Sequence, residues 1–170
     1  MSVIDIAILV LLGGFILAGF WFGLIHMVGA LVGLFVGVAV AGHYYAGVAA
    51  WLSPLIGDNL SLASILSFLF LFLLTGKLFG LLLSLIDKVF KIIAIIPFTK
   101  TINRLLGAAF GLLEGTLYLS VAVYFISRFP VSVAFDLLLQ NSPFIRPLAL
   151  IGSLFSPLLP EAVRLLNSVI

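Results

Sequence analysis

Two charged residues, Lys77 and Glu114, lie deep inside long apolar stretches. Lys77 precedes Asp87 by ten residues and Glu114 follows Arg104 by ten. At about 1.5 Å per helical residue, both would lie roughly 15 Å from the same side of a bilayer. A lysine at the bilayer centre costs about 2.5–3.5 kcal/mol and is expected to face protein or water. The matching depth predicts an intramembrane ion pair between adjacent antiparallel helices.

Three alternatives are open for Lys77 and Glu114. The predicted pair could be a structural clasp between two helices, or it could line a polar cavity in a transporter or proton path. In the third alternative no pair forms, because the long side chain of Lys77 extends towards the membrane boundary. Loss of additivity between Lys77→Met and Glu114→Gln would identify the clasp.

No other group of residues suggests a catalytic or metal site. His26 and His43 are 17 residues apart on one apolar stretch, so they cannot share a metal ion. The six acidic residues are dispersed, and cysteine is absent. No serine lies in a triad or nucleophile-elbow context, and no phosphate-binding loop is present. We expect no catalytic residue, no cofactor and no enzyme.

The composition explains where these residues must lie. Hydrophobic residues make up 64% of the 170 residues, charged residues only 8%, and the mean hydropathy is +1.42. A soluble domain is about 45–50% apolar and about 25% charged. A net charge of +2 leaves no basic face for nucleic acid. The chain is expected to be an all-α, polytopic membrane protein whose main partner is the lipid bilayer.

The apolar pattern predicts a bundle of four transmembrane helices. The first corner is placed at Gly23, and Ser61 is expected to cap the third helix. The segment between the third and fourth helices should lie at the membrane interface, with lysines in water and isoleucines in lipid. The predicted spans cover about residues 5–22, 24–51, 61–86 and 102–128, and the interfacial segment covers 88–100.

The last part of the chain, 129–170, has a different character. Four prolines after residue 140 divide it into pieces too short to span a bilayer. Glu161, Arg164 and Asn167 share one polar helix face. We therefore predict short amphipathic helices, lying on the membrane surface or on the bundle, after a transmembrane domain of residues 1–128.

The positions of the basic residues predict the orientation. Lys88, Lys91, Lys100 and Arg104 cluster between the third and fourth spans. Lysine and arginine are enriched in cytoplasmic loops of membrane proteins. With four spans, both termini are then expected to face outward.

Two glycine series predict close helix packing. Glycines four residues apart share one helix face and allow another backbone to approach. The first series lies on the second predicted helix, and the other lies on the fourth. Packing within one bundle is the first interpretation, and self-association into a homo-oligomer is the alternative. The six residues are Gly29, Gly33, Gly37, Gly107, Gly111 and Gly115.

The same layout resembles the colicin V production protein family, CvpA. Asp5 precedes the first apolar run, Gly23 marks the corner, and residues 41–45 end the second helix with His43, Tyr44 and Tyr45. Residues 103–115 resemble the family pattern that begins the fourth helix, including Arg104. The resemblance implies a bacterial inner-membrane protein linked to colicin V production and envelope maintenance, with no catalytic residue.

Three functional hypotheses follow from the residues and the resemblance together. The first is an accessory factor in toxin production or export and envelope homeostasis, with envelope or export proteins as partners. The second is a small oligomeric transporter or channel with a polar midplane site, whose conduit would use Lys77 and Glu114, with His43 as a further candidate. The third is a membrane-surface binder acting through residues 130–170 alone, which deletion of that segment would test.

Overall fold

The computed structural model describes residues 3–91, 100–129 and 132–159, and within these ranges the regular structure is helical, with no strand. The predicted all-α fold is thereby confirmed. The described residues also include the short 3₁₀ helices Ser53–Ile56 and Ser156–Leu158. The helices are α1 (Val3–Phe22), α2 (Leu24–Leu52), α3 (Leu60–Lys91), α4 (Lys100–Ile126), α5 (Val133–Gln140) and α6 (Ile145–Ser153).

Four of these helices are long and apolar enough to cross a membrane. The qualifying stretches are Val3–Phe22, His26–Ile56, Leu60–Leu82 and Thr101–Ile126, with mean hydropathies from 1.6 to 2.6. Helix α3 continues to Lys91, beyond its predicted end. Most of the predicted interfacial segment, residues 92–99, lies outside the described residues, as does the predicted polar face of Glu161, Arg164 and Asn167.

The turn between α2 and α3 corrects the predicted helix cap. Gly57 and Asp58 both have positive φ angles, of 75° and 56°. This left-handed turn brings Asn59 to the position before the helix, where its Oδ1 accepts a hydrogen bond of 3.0 Å from the Leu62 N–H. The prediction of Ser61 as the cap was wrong, because the turn ends two residues earlier and Ser61 already lies within the first helical turn.

The interior of the bundle is filled mainly by aromatic rings from α2, α3 and α4. Phe68 and Phe125 stack with ring centroids 3.7 Å apart and an angle of 6° between the ring planes. Tyr45 meets Phe125 edge-on at 5.0 Å, and Phe72 lies 4.7 Å from Tyr118. These rings belong to one buried cluster. Their packing fixes α4 against the hairpin formed by α2 and α3.

Helices α1 and α4 are in direct backbone contact. A Cβ atom added at Gly19 would collide with the carbonyl oxygen of Gly107, and one added at Gly107 would collide with that of Gly19. One turn further along α4, a Cβ at Gly111 would collide with the carbonyl oxygen of Phe15. A Cβ at Gly115 would lie 2.8 Å from the Phe15 Cβ. The glycine face of α4 is thus occupied by α1 of the same chain.

The glycines of α2 face α3 with slightly more room. A Cβ added at Gly33 would lie 3.2 Å from the carbonyl oxygen of Gly76. A Cβ added at Gly37 would lie 3.1 Å from the carbonyl oxygen of Phe72. Gly29 is half-buried. The α2–α3 contact therefore combines small residues on one helix with a phenylalanine on the other, as in close membrane helix pairs.

Helix α6 packs on the bundle at the end where α1 begins and α4 ends. A Cβ added at Gly152 would collide with the carbonyl oxygen of Ser120. Ile145 and Leu148 of α6 join Ile8 and Val123 in a second buried cluster. The described part of the C-terminal segment is thus attached to the transmembrane helices.

We expect Gly111→Ala to destabilise the protein by about 1–3 kcal/mol, because the new methyl group overpacks the α1–α4 contact. Gly14→Ala is the matched control, since a Cβ there has no atom within 4 Å. Its stability should stay equal or rise, because alanine favours helix by up to about 1 kcal/mol. Equilibrium unfolding in detergent measures both variants. Equal stabilities of the two would contradict the described crossing.

Candidate functional site

Glu114 lies in the interior of the bundle. Its side chain is 6% exposed, and it lies one turn before Tyr118 on α4. The Tyr118 ring lies between Phe15, at 5.6 Å, and Phe72, at 4.7 Å. A buried acidic group thus lies one helical turn from the aromatic side chains that join the helices. Such a residue inside a membrane span is a candidate functional site by its position alone.

The Lys77 side chain points away from the interior of the bundle. Its neighbour Gly76 faces the Tyr118 hydroxyl group, which leaves no space for a Cβ there. A residue one position further along a helix is rotated by about 100°, so Lys77 lies on the outer side of α3. It is exposed among Leu73, Leu74, Leu78 and Leu81, which are 42–59% exposed.

The structure therefore does not bring Lys77 and Glu114 together. One side chain is exposed and the other is buried, and no ion pair joins them within the described ranges. Of the three alternatives, this placement corresponds to the one without an intramolecular pair.

The corner between α1 and α2 is held by a side chain from α4. Gly23 has a φ angle of 83°, which favours glycine. The next residue, Leu24, begins α2, and its N–H donates a hydrogen bond of 3.0 Å to the Asn103 Oδ1. A Cβ at Gly23 would also collide with the Asn103 side chain. The Asn103 side chain thus caps the N-terminus of α2, whose first residue lies 79 residues earlier in the sequence.

The structural role of Asn103 is one that sequence reasoning did not single out. The residue belongs to the 103–115 segment on which the resemblance rests, but only its neighbour Arg104 was selected. Arg104 is exposed, with its guanidinium carbon 5.7 Å from the centroid of the Phe20 ring. The two neighbours therefore both contact the first hairpin, Asn103 through its corner and Arg104 through a cation–π contact.

Asp5 connects α1 to the C-terminal segment. It is 3% exposed, and its Oδ1 accepts a hydrogen bond of 2.5 Å from the Ser142 hydroxyl group. Ser142 lies between α5 and α6 and is also buried. No local pattern identifies Ser142, because its partner is 137 residues away in sequence.

The aromatic residues near the end of α2 have separate surroundings. Tyr45 is buried in the core, whereas Tyr44 is exposed. The His43 ring meets Tyr44 edge-on at 4.8 Å, and His26 lies 4.7 Å from the Phe22 ring near the other end of the helix. Across the described residues, no three histidine or acidic side chains are grouped so that they could hold a metal ion.

Comparison with known families identifies the family to which the protein belongs. The sequence profile described as Colicin V production protein matches residues 4–153. The chain belongs to the Colicin V production protein family. Comparison with curated proteins and with solved structures gave no match. The range shared with the Colicin V production family includes Asp5, Gly23, Asn103 and Ser142, so the Leu24–Asn103 and Ser142–Asp5 hydrogen bonds lie inside it.

Asn103→Ala is expected to destabilise the protein by about 1 kcal/mol, because the first N–H of α2 loses its acceptor. Asn103→Asp keeps an acceptor oxygen and places a negative charge at a helix N-terminus, so its stability should stay close to that of the parent. Thermal unfolding in one detergent compares the three proteins. Equal destabilisation by both substitutions would show that the cap does not depend on the acceptor.

Proposed function

We propose that this Colicin V production family member is a non-enzymatic scaffold in the bacterial inner membrane. It acts as an accessory factor in toxin production or export and in envelope homeostasis. The observation that carries the proposal is the close-packed interior, in which Phe68, Phe72, Tyr118 and Phe125 fill the contact between α3 and α4. Such an interior supports a rigid assembly role.

The expected orientation puts both termini outside. The basic residues Lys88, Lys91, Lys100 and Arg104 support a cytoplasmic location for the connection between α3 and α4. In that orientation the hydrogen-bonded pair Asp5 and Ser142 lies towards the outer side.

The outer face of α3 around Lys77 is the contact surface that we propose for a partner. The glycines of α4 are already occupied by α1, so they are not free for a second protein. Lys77 is exposed among leucines on a span-forming helix, where an unpaired charge costs about 2.5–3.5 kcal/mol. A partner helix of an export or envelope protein with an acidic residue at this depth would offset that cost. A neutral partner would not.

Replacement of Lys77 by leucine separates function from stability. Lys77→Leu removes a charge from an apolar surface, so the bundle should remain stable, while colicin V release should fall by about tenfold or more through loss of the charged contact. Lys77→Arg keeps the charge and should retain most activity. The measurement is the toxin titre of a colicin V-producing strain that lacks its own family member.

Both outcomes of that assay are decisive. A normal titre with Lys77→Leu would overturn the proposed contact at Lys77. Failure of the unchanged chain to restore toxin release would contradict the accessory function itself.

A small oligomeric transporter is the second candidate, and the burial of Glu114 favours it. In that case, water must reach the carboxylate from at least one side of the membrane. In the scaffold, the aromatic side chains around Tyr118 exclude water from it.

Thiol labelling distinguishes the two candidates, because the chain has no cysteine of its own. We expect Glu114→Cys to resist a membrane-impermeant maleimide, while Trp51→Cys, at the end of α2 and 73% exposed, should react. Phe70→Cys is the lipid-facing control, since Phe70 is 60% exposed in the middle of a span. Labelling of Glu114→Cys alongside an unreactive Phe70→Cys would instead support a conduit.

A further inference from the structure

A cavity of about 340 Å³ opens between the C-terminal end of α4 and helix α6. Its two walls are fixed to each other by the close contact of Gly152 with the backbone of Ser120. The volume is within the range of small-ligand sites in proteins. The cavity is separate from the Glu114 region and from the proposed contact surface on α3.

Two arginines line this cavity from opposite sides. Arg128 follows α4, and Arg146 lies in the first turn of α6, where it is exposed. The Arg128 guanidinium donates a hydrogen bond of 2.9 Å to the Tyr124 hydroxyl group, and its central carbon lies 4.7 Å from that ring's centroid. No acidic side chain lines the cavity in the described part of the chain. The exposed charge of Arg146 therefore favours an anion in this cavity.

The same cavity has an apolar wall. Ala149 and Leu150 of α6 line it, and Leu150 is 72% exposed. The apolar stretch of α4 ends at Ile126, two residues before Arg128. The arginines therefore lie where a membrane's hydrocarbon region gives way to its headgroups, while Leu150 offers an apolar surface beside them.

We propose that this cavity binds an anionic phospholipid by its headgroup phosphate. The guanidinium groups of Arg128 and Arg146 donate charge-assisted hydrogen bonds to the phosphate oxygens, as arginine does in planar, paired contacts. The first part of an acyl chain lies along Ala149 and Leu150. The apolar wall favours a lipid phosphate over a free phosphate ion, which would leave that wall in contact with water.

The test is a titration of the detergent-solubilised full chain with short-chain phosphatidylglycerol carrying a fluorophore. Arg146→Gln should weaken binding by about tenfold or more, because the charge-assisted hydrogen bonds of this guanidinium to the phosphate are lost. Arg104→Gln removes the same charge at the other end of α4 and should bind like the parent. Phosphatidylcholine, whose headgroup has no net charge, should compete poorly.

Each result bears on the proposal. Equal weakening by Arg146→Gln and Arg104→Gln would show general attraction to a basic protein and overturn the site. If Arg146→Gln binds phosphatidylglycerol as tightly as the parent, the proposed site is overturned as well. Competition by millimolar inorganic phosphate would assign the cavity to a free ion in place of a lipid. If Arg146→Gln fails to fold, Leu150→Glu places an acid at the exposed wall and should abolish binding. Leu55→Glu, which adds the same acid at a position 69% exposed in the turn between α2 and α3, should not.

Discussion

The direct backbone contact between α1 and α4 is the constraint on which the rest of the fold depends. No side chain separates the helices where Gly19 meets Gly107 and where Gly111 meets Phe15. Within a bilayer, lipid tails are as apolar as leucine, so helices associate through close van der Waals packing and not through exclusion of water. Small residues at these positions supply the contact area that holds the first helix to the bundle.

Among the described residues, a long-range hydrogen bond lies at each end of this crossing. At one end Asn103 accepts a hydrogen bond from the first residue of α2, and at the other Asp5 accepts one from Ser142. A shift of α1 along α4 would break both at once, because each joins the α1 region to a later part of the chain. The cavity between α4 and α6 depends on the same arrangement, since α6 packs on α4 beside the start of α1.

The sequence predicted the helices well because their signals are local. Long apolar runs set the four spans, and Gly23 marked the corner where its positive φ angle is found. The spacing of Gly107, Gly111 and Gly115 predicted a close approach but did not name the partner helix. The matching signal, Gly19 and Gly23 four residues apart, went unused because Gly23 was assigned only to the corner.

Position along a helix was easier to predict than the direction in which a side chain points. The rise per residue gave Lys77 and Glu114 similar depths, but each residue step also rotates a side chain by about 100°. Gly76 faces Tyr118, so Lys77 faces outward. Asn103 and Ser142 have partners far away in sequence, and their roles emerge only in three dimensions.

A double-mutant cycle on Gly19→Ala and Gly107→Ala tests the direct α1–α4 contact most directly, because an added Cβ at either glycine meets the other's carbonyl oxygen. The measured quantity is the free energy of unfolding in detergent. Each single variant should lose about 1–3 kcal/mol. Once one methyl group has separated the helices, the second has room, so the double variant should lose less than the sum by about 0.5–3 kcal/mol. Additivity within about 0.5 kcal/mol would contradict a direct contact between the two glycines.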